Sequence, residues 1–164
     1  MTRDFPVLTD NGYTEEGDVE AGGLFYKQRS NALFGTVNMA QHWRHTYDLS
    51  YGKRIYPYVL AIVDFWEDFL TFEDGQYQIY GDGENEKSGF SKNPSMSIAL
   101  LKNALELVVD LSKELKRDEH RQAKWQDIIN NLRELPTWEE NGKRFLRGAE
   151  EDAHGQQAVS YTHL

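Results

Sequence analysis

Two glutamates, Glu84 and Glu86, stand in GDGENEKSGFSKNPSMS (81–97), beside glycines that let a backbone come close to a ligand. A carboxyl group at the mouth of a cavity has its proton affinity raised by desolvation and can then act as a general acid. The same residues also read as solvated loop acids, since surface carboxylates are common. Residue types alone leave both readings open.

His42 and His45 in AQHWRH are three apart, so a helix would turn both to one side, with Asp48 a further three along. That spacing could hold a metal. No Glu-x-x spacing and no second cluster accompany it, so a polar helix face is the plainer reading, and neither metal nor cofactor is expected. Trp43, Tyr47, Tyr56, Trp66, Tyr77 and Tyr80 offer flat faces with polar tips on which sugar rings could stack. At helical spacing aromatics are more often core, so Trp66 and Trp125 are assigned to packing, and Trp43, Tyr77 and Tyr80 are kept as ligand contacts. KELKRDEHR (113–121) reads as a solvated helix end and turn.

The chain that must position these groups has 164 residues, 39% of them hydrophobic and 13% aromatic, which suits one domain with a filled core. Its 18 basic and 27 acidic residues give a net charge of -9 that would repel a phosphate backbone, so nucleic acid is not an expected partner. Without cysteine there is neither a disulfide framework nor a thiolate metal site. No run approaches the roughly 20 apolar residues of a membrane helix. MTRDFPVLTD lacks the apolar region of a secretory signal, an observation that bears on localisation only if Met1 is a true start rather than an internal methionine.

The first thirty residues, with DNGY, EEGD and AGG, read as loop with room for a short extended piece. A helix is expected over 32–48, with Leu33, Val37, Ala40 and Tyr47 recurring near helical spacing and Trp43 beside that stripe. DLSYGK (48–53) should interrupt it. Ile55, Val59, Ile62, Trp66, Phe69 and Leu70 then mark one buried helical face, with Pro57 in the first turn. Residues 73–92 form a long connection in which QYQIY alternates like a short strand or arm. Asn93 looks like an N-cap with Pro94 at the first helical position, opening a helix carried by Ile98, Leu101, Leu105, Val108, Leu111 and Leu115. Asp118 is read as the cap of a fourth helix with Trp125, Ile128, Leu132 and Leu135 inward, stopped at Pro136. The expectation is all-α: two antiparallel helical hairpins joined by a connection long enough to be functional.

AQHWRHTYDLSYGKRIYPYVLAIVDFWEDFL (40–70), NPSMSIALLKNALEL and WQDIINNLRELPTWEENGK (125–143) resemble, in order and spacing, the catalytic domain of glycoside hydrolase family 95, the alpha-L-fucosidase family among the six-hairpin glycosidases. The shared positions include Ala40, Gln41, His42, Tyr47, Tyr56, Pro57, Phe65 and Leu70. The resemblance implies an (alpha/alpha)6 toroid whose long inter-hairpin loops line a sugar-binding cavity. It places a general-acid glutamate in the loop matching 81–92, with Glu86 first choice and Glu84 its rival. Gln41, His42, Trp43, Tyr77, Tyr80 and Asn85 become substrate contacts, and the partner becomes a carbohydrate. The implied hydrolysis is inverting, and the implied setting is secreted or periplasmic. A six-hairpin ring needs about twelve helices, so residues 1–157 are read as a partial catalytic domain, roughly a third of the whole. AVSYTHL (158–164) resembles the read-through of a transposase adapter used in sequencing libraries, GTC TCT TAT ACA CAT CTC reading VSYTHL, and is set aside as an artefact. The competing readings are a non-catalytic helical-hairpin module that binds glycan or protein, and a toroid enzyme of another type, such as a sugar epimerase or polysaccharide lyase.

Overall fold

Trp43 is the residue around which the first three helices assemble. The computed structural model describes residues 28–83 and 91–151. Helix α1 (Asn31–Thr46) buries Leu33, Thr36, Ala40 and Trp43, a stripe at steps of three and four. Tyr47, expected in that stripe, closes the helix in a left-handed conformation and is exposed, its N–H donating to the Trp43 carbonyl. Asp48 follows at once as N-cap of α2 (Leu49–Phe69), its carboxylate accepting from Ser50 N at 2.8 Å. DLSYGK is therefore the entry to a helix and not an interruption. Because α2 starts at Leu49, Pro57 lies in its third turn and not its first; the missing amide bond is tolerated inside a helix whose Ile55, Tyr56, Val59, Ile62, Val63 and Trp66 are all buried.

Gly52 explains how α1 and α2 come so close. A Cβ there would stand 2.7 Å from Cζ3 of Trp43, so only glycine lets α2 seat against the indole. From the other side Trp43 Nε1 donates to Asp110 Oδ2 at 2.7 Å, on helix α3 (Ser95–Leu115). Helix α3 packs against α1, α2 and α4 (Gln122–Asn131), which is why its buried set exceeds one stripe and includes Ala104, Leu107 and Val109 beside the expected Ile98, Leu101, Leu105, Val108 and Leu111. Trp66 and Trp125 are core residues, as the sequence pattern indicates.

The connection between α2 and α3 is more regular than its composition suggests. Strands β1 (Thr71–Glu73) and β2 (Gln76–Gln78) pair antiparallel across Asp74-Gly75, both at positive φ. Strand β3 (Tyr80–Asp82) then pairs antiparallel with β4 (Ser91–Lys92). After α4 another hairpin forms, β5 (Thr137–Glu140) with β6 (Lys143–Leu146), across Asn141-Gly142, again both at positive φ. The described residues are thus mostly helical, with three two-stranded ribbons at their loop ends.

Two expected caps and one expected inward residue are otherwise. Asn93 is left-handed and precedes the true N-cap, Pro94; its amide serves buried neighbours instead of the helix. Asp118 precedes a 3-10 turn (Glu119–Arg121), makes no cap bond, and accepts from the Tyr56 hydroxyl at 2.8 Å. Leu135 lies beyond the end of α4 and is exposed, because Leu132 already leaves helical geometry. The N-terminal loop over residues 1–27 and the 158–164 tail lie outside the described residues.

Candidate functional site

The loop carrying Glu84, Asn85 and Glu86 lies outside the described residues; its two roots do not. On the incoming side Asp82 is completely buried. Its Oδ1 accepts from the backbone N–H groups of Arg29 at 2.6 Å and Ser30 at 3.3 Å, immediately before α1, and its Oδ2 accepts from Ser97 Oγ at 2.5 Å, in the first turn of α3. One carboxylate therefore bridges the positive ends of two helix dipoles. Arg29 adds a guanidinium bond to the Gly81 carbonyl. Burial pushes the Asp82 carboxyl above the usual aspartate range, against the opposing pull of Ser97, the two N–H groups and the Arg29 charge. Ser91, directly opposite Asp82 in the ribbon, and Ser30 both bury hydroxyls that have no hydrogen-bond partner among the described residues.

On the outgoing side Asn93 is equally buried. Its Oδ1 accepts from Ile79 N at 2.8 Å, its own N–H donates to the Ile79 carbonyl, and Nδ2 donates to Gln78 Oε1 at 2.7 Å and Glu150 Oε2 at 2.5 Å. Glu150 also receives Arg133 at 2.9 Å. Burial alone would raise the Glu150 carboxyl, but the bonds from Asn93 and Arg133 and the charges of Arg133 and Lys92 leave it below the usual glutamate range. Both ends of the glutamate-bearing loop are thus held by fully buried polar side chains, bonded in a way that a merely tolerated surface excursion does not require.

The structure separates the other expected contacts. Tyr80, in β3, is exposed; its hydroxyl donates to Glu73 at 2.7 Å and Lys92 stands 5.4 Å over its ring. It stays beside the loop. Tyr77 is turned inward: its ring is buried, and its hydroxyl donates to Asp127 at 2.6 Å and accepts from Lys124 at 2.7 Å, tying β2 to α4. Trp43, expected to touch ligand, is wholly enclosed between helices. Gln41 and His42 are exposed near the far end of α1, about 18 Å along its axis from the Asp82-bonded Ser30 at 1.5 Å per residue. His42 lies against Tyr51 with ring centroids 4.2 Å apart, and His45 Nδ1 bonds to the Gln41 carbonyl at 2.7 Å. Among the described residues no group of three or more His, Asp or Glu is placed to hold a metal. No helix among them is long and apolar enough to cross a membrane.

Sequence reasoning missed Asp82 and the roles of Asn93 and Glu150. Asp82 sits between two glycines in Gly81-Asp82-Gly83, which reads as a turn. A buried aspartate inside a glycine-rich run has no sequence signature of its own, because its partners Ser30 and Ser97 are remote in the chain.

The described residues thus form helical hairpins whose polar connection is anchored at both roots. The family model of the glycosyl hydrolase family 95 catalytic domain matches residues 19–144, and the chain belongs to that family. No curated protein matches the chain at a significant level.

Proposed function

We propose that this chain is the acid-bearing portion of an inverting glycosidase, in which Glu86 protonates the leaving glycosidic oxygen and Glu84 is the alternative acid. A base on the opposite face of the sugar would activate water across a gap of about 6.5–9.5 Å. The observation that carries this reading is the double anchoring of the loop: Asp82 is bonded to the starts of α1 and α3, and Asn93 to β2 and Glu150. Rigid roots are what a proton donor needs if it is to meet the leaving oxygen in a fixed geometry. Tyr80 and Asn85 supply contacts beside it, while Gln41 and His42, at the other end of α1, fall outside this subsite. The fold of the whole enzyme is an (alpha/alpha)6 toroid, to which the four α-helices of the described residues contribute about a third. The substrate is a neutral glycan, with L-fucose one candidate sugar, and the isolated chain is expected to be inactive.

The test uses the full-length enzyme. Glu86→Gln should lower kcat on substrates with poor leaving groups far more than on activated aryl glycosides, which scarcely need an acid. Equal loss on both, or none, removes Glu86 from the role; the same selective loss in Glu84→Gln would assign it there. If neither variant discriminates between leaving groups, the chain is better read as a non-catalytic glycan-binding module.

A further inference from the structure

A cleft of about 310 Å³ opens between the end of α4 and the β5–β6 ribbon, and it holds three arginines in a chain of net charge -9: Arg133, Arg144 and Arg147. Their commitments differ. Arg133 is engaged at both terminal nitrogens, donating to Gln76 Oε1 at 2.7 Å and pairing with Glu150 at 2.9 Å. Arg144 gives only its Nε, to Thr137 Oγ1 at 3.0 Å, leaving its two terminal amino groups. Arg147 is held by its backbone alone, N–H donating to the Pro136 carbonyl and carbonyl accepting from Ser95 Oγ. Its guanidinium has no partner among the described residues and is only partly exposed.

An arginine whose main chain is fixed while its head lacks a counter-ion is suited to receive one, and its planar fork matches a carboxylate bidentately. The remaining lining suits hydroxyl groups. Gln76, Thr137 and Glu134 offer donors and acceptors, and the Glu150 charge is already paired with Arg133 and hydrogen-bonded by Asn93. The volume is at the small end of ligand sites, the size of a single small ring rather than a chain. We propose that this cleft binds a carboxylate-bearing sugar, a uronic acid residue, with Arg147 and the free end of Arg144 on the carboxylate and Gln76, Thr137 and Glu134 on the ring hydroxyls. The site rests on the glycosidase reading only for the ligand being a sugar, and it is distinct from the Asp82-anchored loop.

The experiment is a titration of the full chain with D-glucuronate, D-glucose and inorganic sulfate, followed by NMR chemical shifts of the arginine side chains. Glucuronate should saturate in the millimolar range, glucose should bind at least tenfold more weakly, and added salt should weaken glucuronate. Arg147→Gln should lower glucuronate affinity at least tenfold while leaving the melting temperature unchanged, since no described group is bonded to that guanidinium; Arg144→Gln should lower it by a smaller factor. Glucose binding as tightly as glucuronate, or Arg147→Gln binding glucuronate like wild type, would overturn the proposal. Sulfate matching glucuronate would also overturn it, leaving an anion site without sugar selectivity. None of these outcomes touches the leaving-group test of Glu86.

Discussion

Asp82 Oδ2 and Ser97 Oγ lie 2.5 Å apart in the core, joining the root of the glutamate-bearing loop to the first turn of α3. Asp82→Ala would strand that hydroxyl and two backbone N–H groups away from water, a loss of about 3 kcal/mol in unfolding free energy by urea titration. A loss below about 0.5 kcal/mol would show that Asp82 is not an anchor. The pH dependence has a definite sign. The folded carboxyl titrates above its unfolded value, 3.8, so the folded chain holds the proton more tightly, and ionisation works against folding above the folded value. That penalty is relieved as pH falls through the folded value. The advantage of wild type over Asp82→Asn should therefore widen on acidification from neutrality.

Gly52→Ala should destabilise, although alanine is the better helix former by about 1 kcal/mol. The new Cβ would meet Trp43 at 2.7 Å, and the indole cannot retreat while Nε1 is bonded to Asp110. Overpacking of this kind costs about 1–3 kcal/mol, so a net loss of about 1 kcal/mol is expected by chemical denaturation. A stabilised variant would mean that α1 and α2 separate freely.

Glu150 has the opposite pH signature to Asp82. Its folded carboxyl titrates below 4.5, so its contribution to stability is present above that value and is lost as pH falls through the folded one. The wild-type advantage over Glu150→Gln should shrink under acid, read from urea midpoints across a pH series. An advantage independent of pH would exclude the Arg133 and Asn93 bonds as its source.

Glu67 is shared between two partners, accepting from Trp125 Nε1 at 2.5 Å and Arg121 at 2.7 Å. Glu67→Leu leaves the buried indole N–H without an acceptor and should cost about 2 kcal/mol. Glu67→Gln keeps an oxygen for Trp125 and should cost about 1 kcal/mol, Arg121 retaining Asp64 at 2.5 Å. Denaturation followed by tryptophan fluorescence separates the two; equal losses would show that charge, and not the indole bond, matters.

The four helices were legible because apolar residues at steps of three and four must face a core whatever their partners, as Ile55, Val59, Ile62 and Trp66 do. The helix ends were less so. Asp48 caps α2 through Ser50, whereas Asp118 and Asn93, equally good cap residues by type, turn to Tyr56 and to Gln78 with Glu150. Remote partners decide such cases. Asn141-Gly142 is a strong hairpin signal and could have revealed β5–β6. The loop could be marked as a candidate site from its length and glutamates, but the burial of Asp82 depends on N–H groups more than fifty residues away in the chain, which no local pattern encodes.

Because α3 is the shared neighbour of α1, α2 and α4, the order of synthesis matters. Helices α1 and α2 leave the ribosome with Leu33, Trp43, Val59 and Trp66 uncovered until residues 95–115 follow, an interval on the order of a few seconds at ordinary translation rates. During that interval the nascent chain offers chaperones a greasy, half-built hairpin, and a ribosome stalled before Ser95 would release a product destined for aggregation or proteolysis.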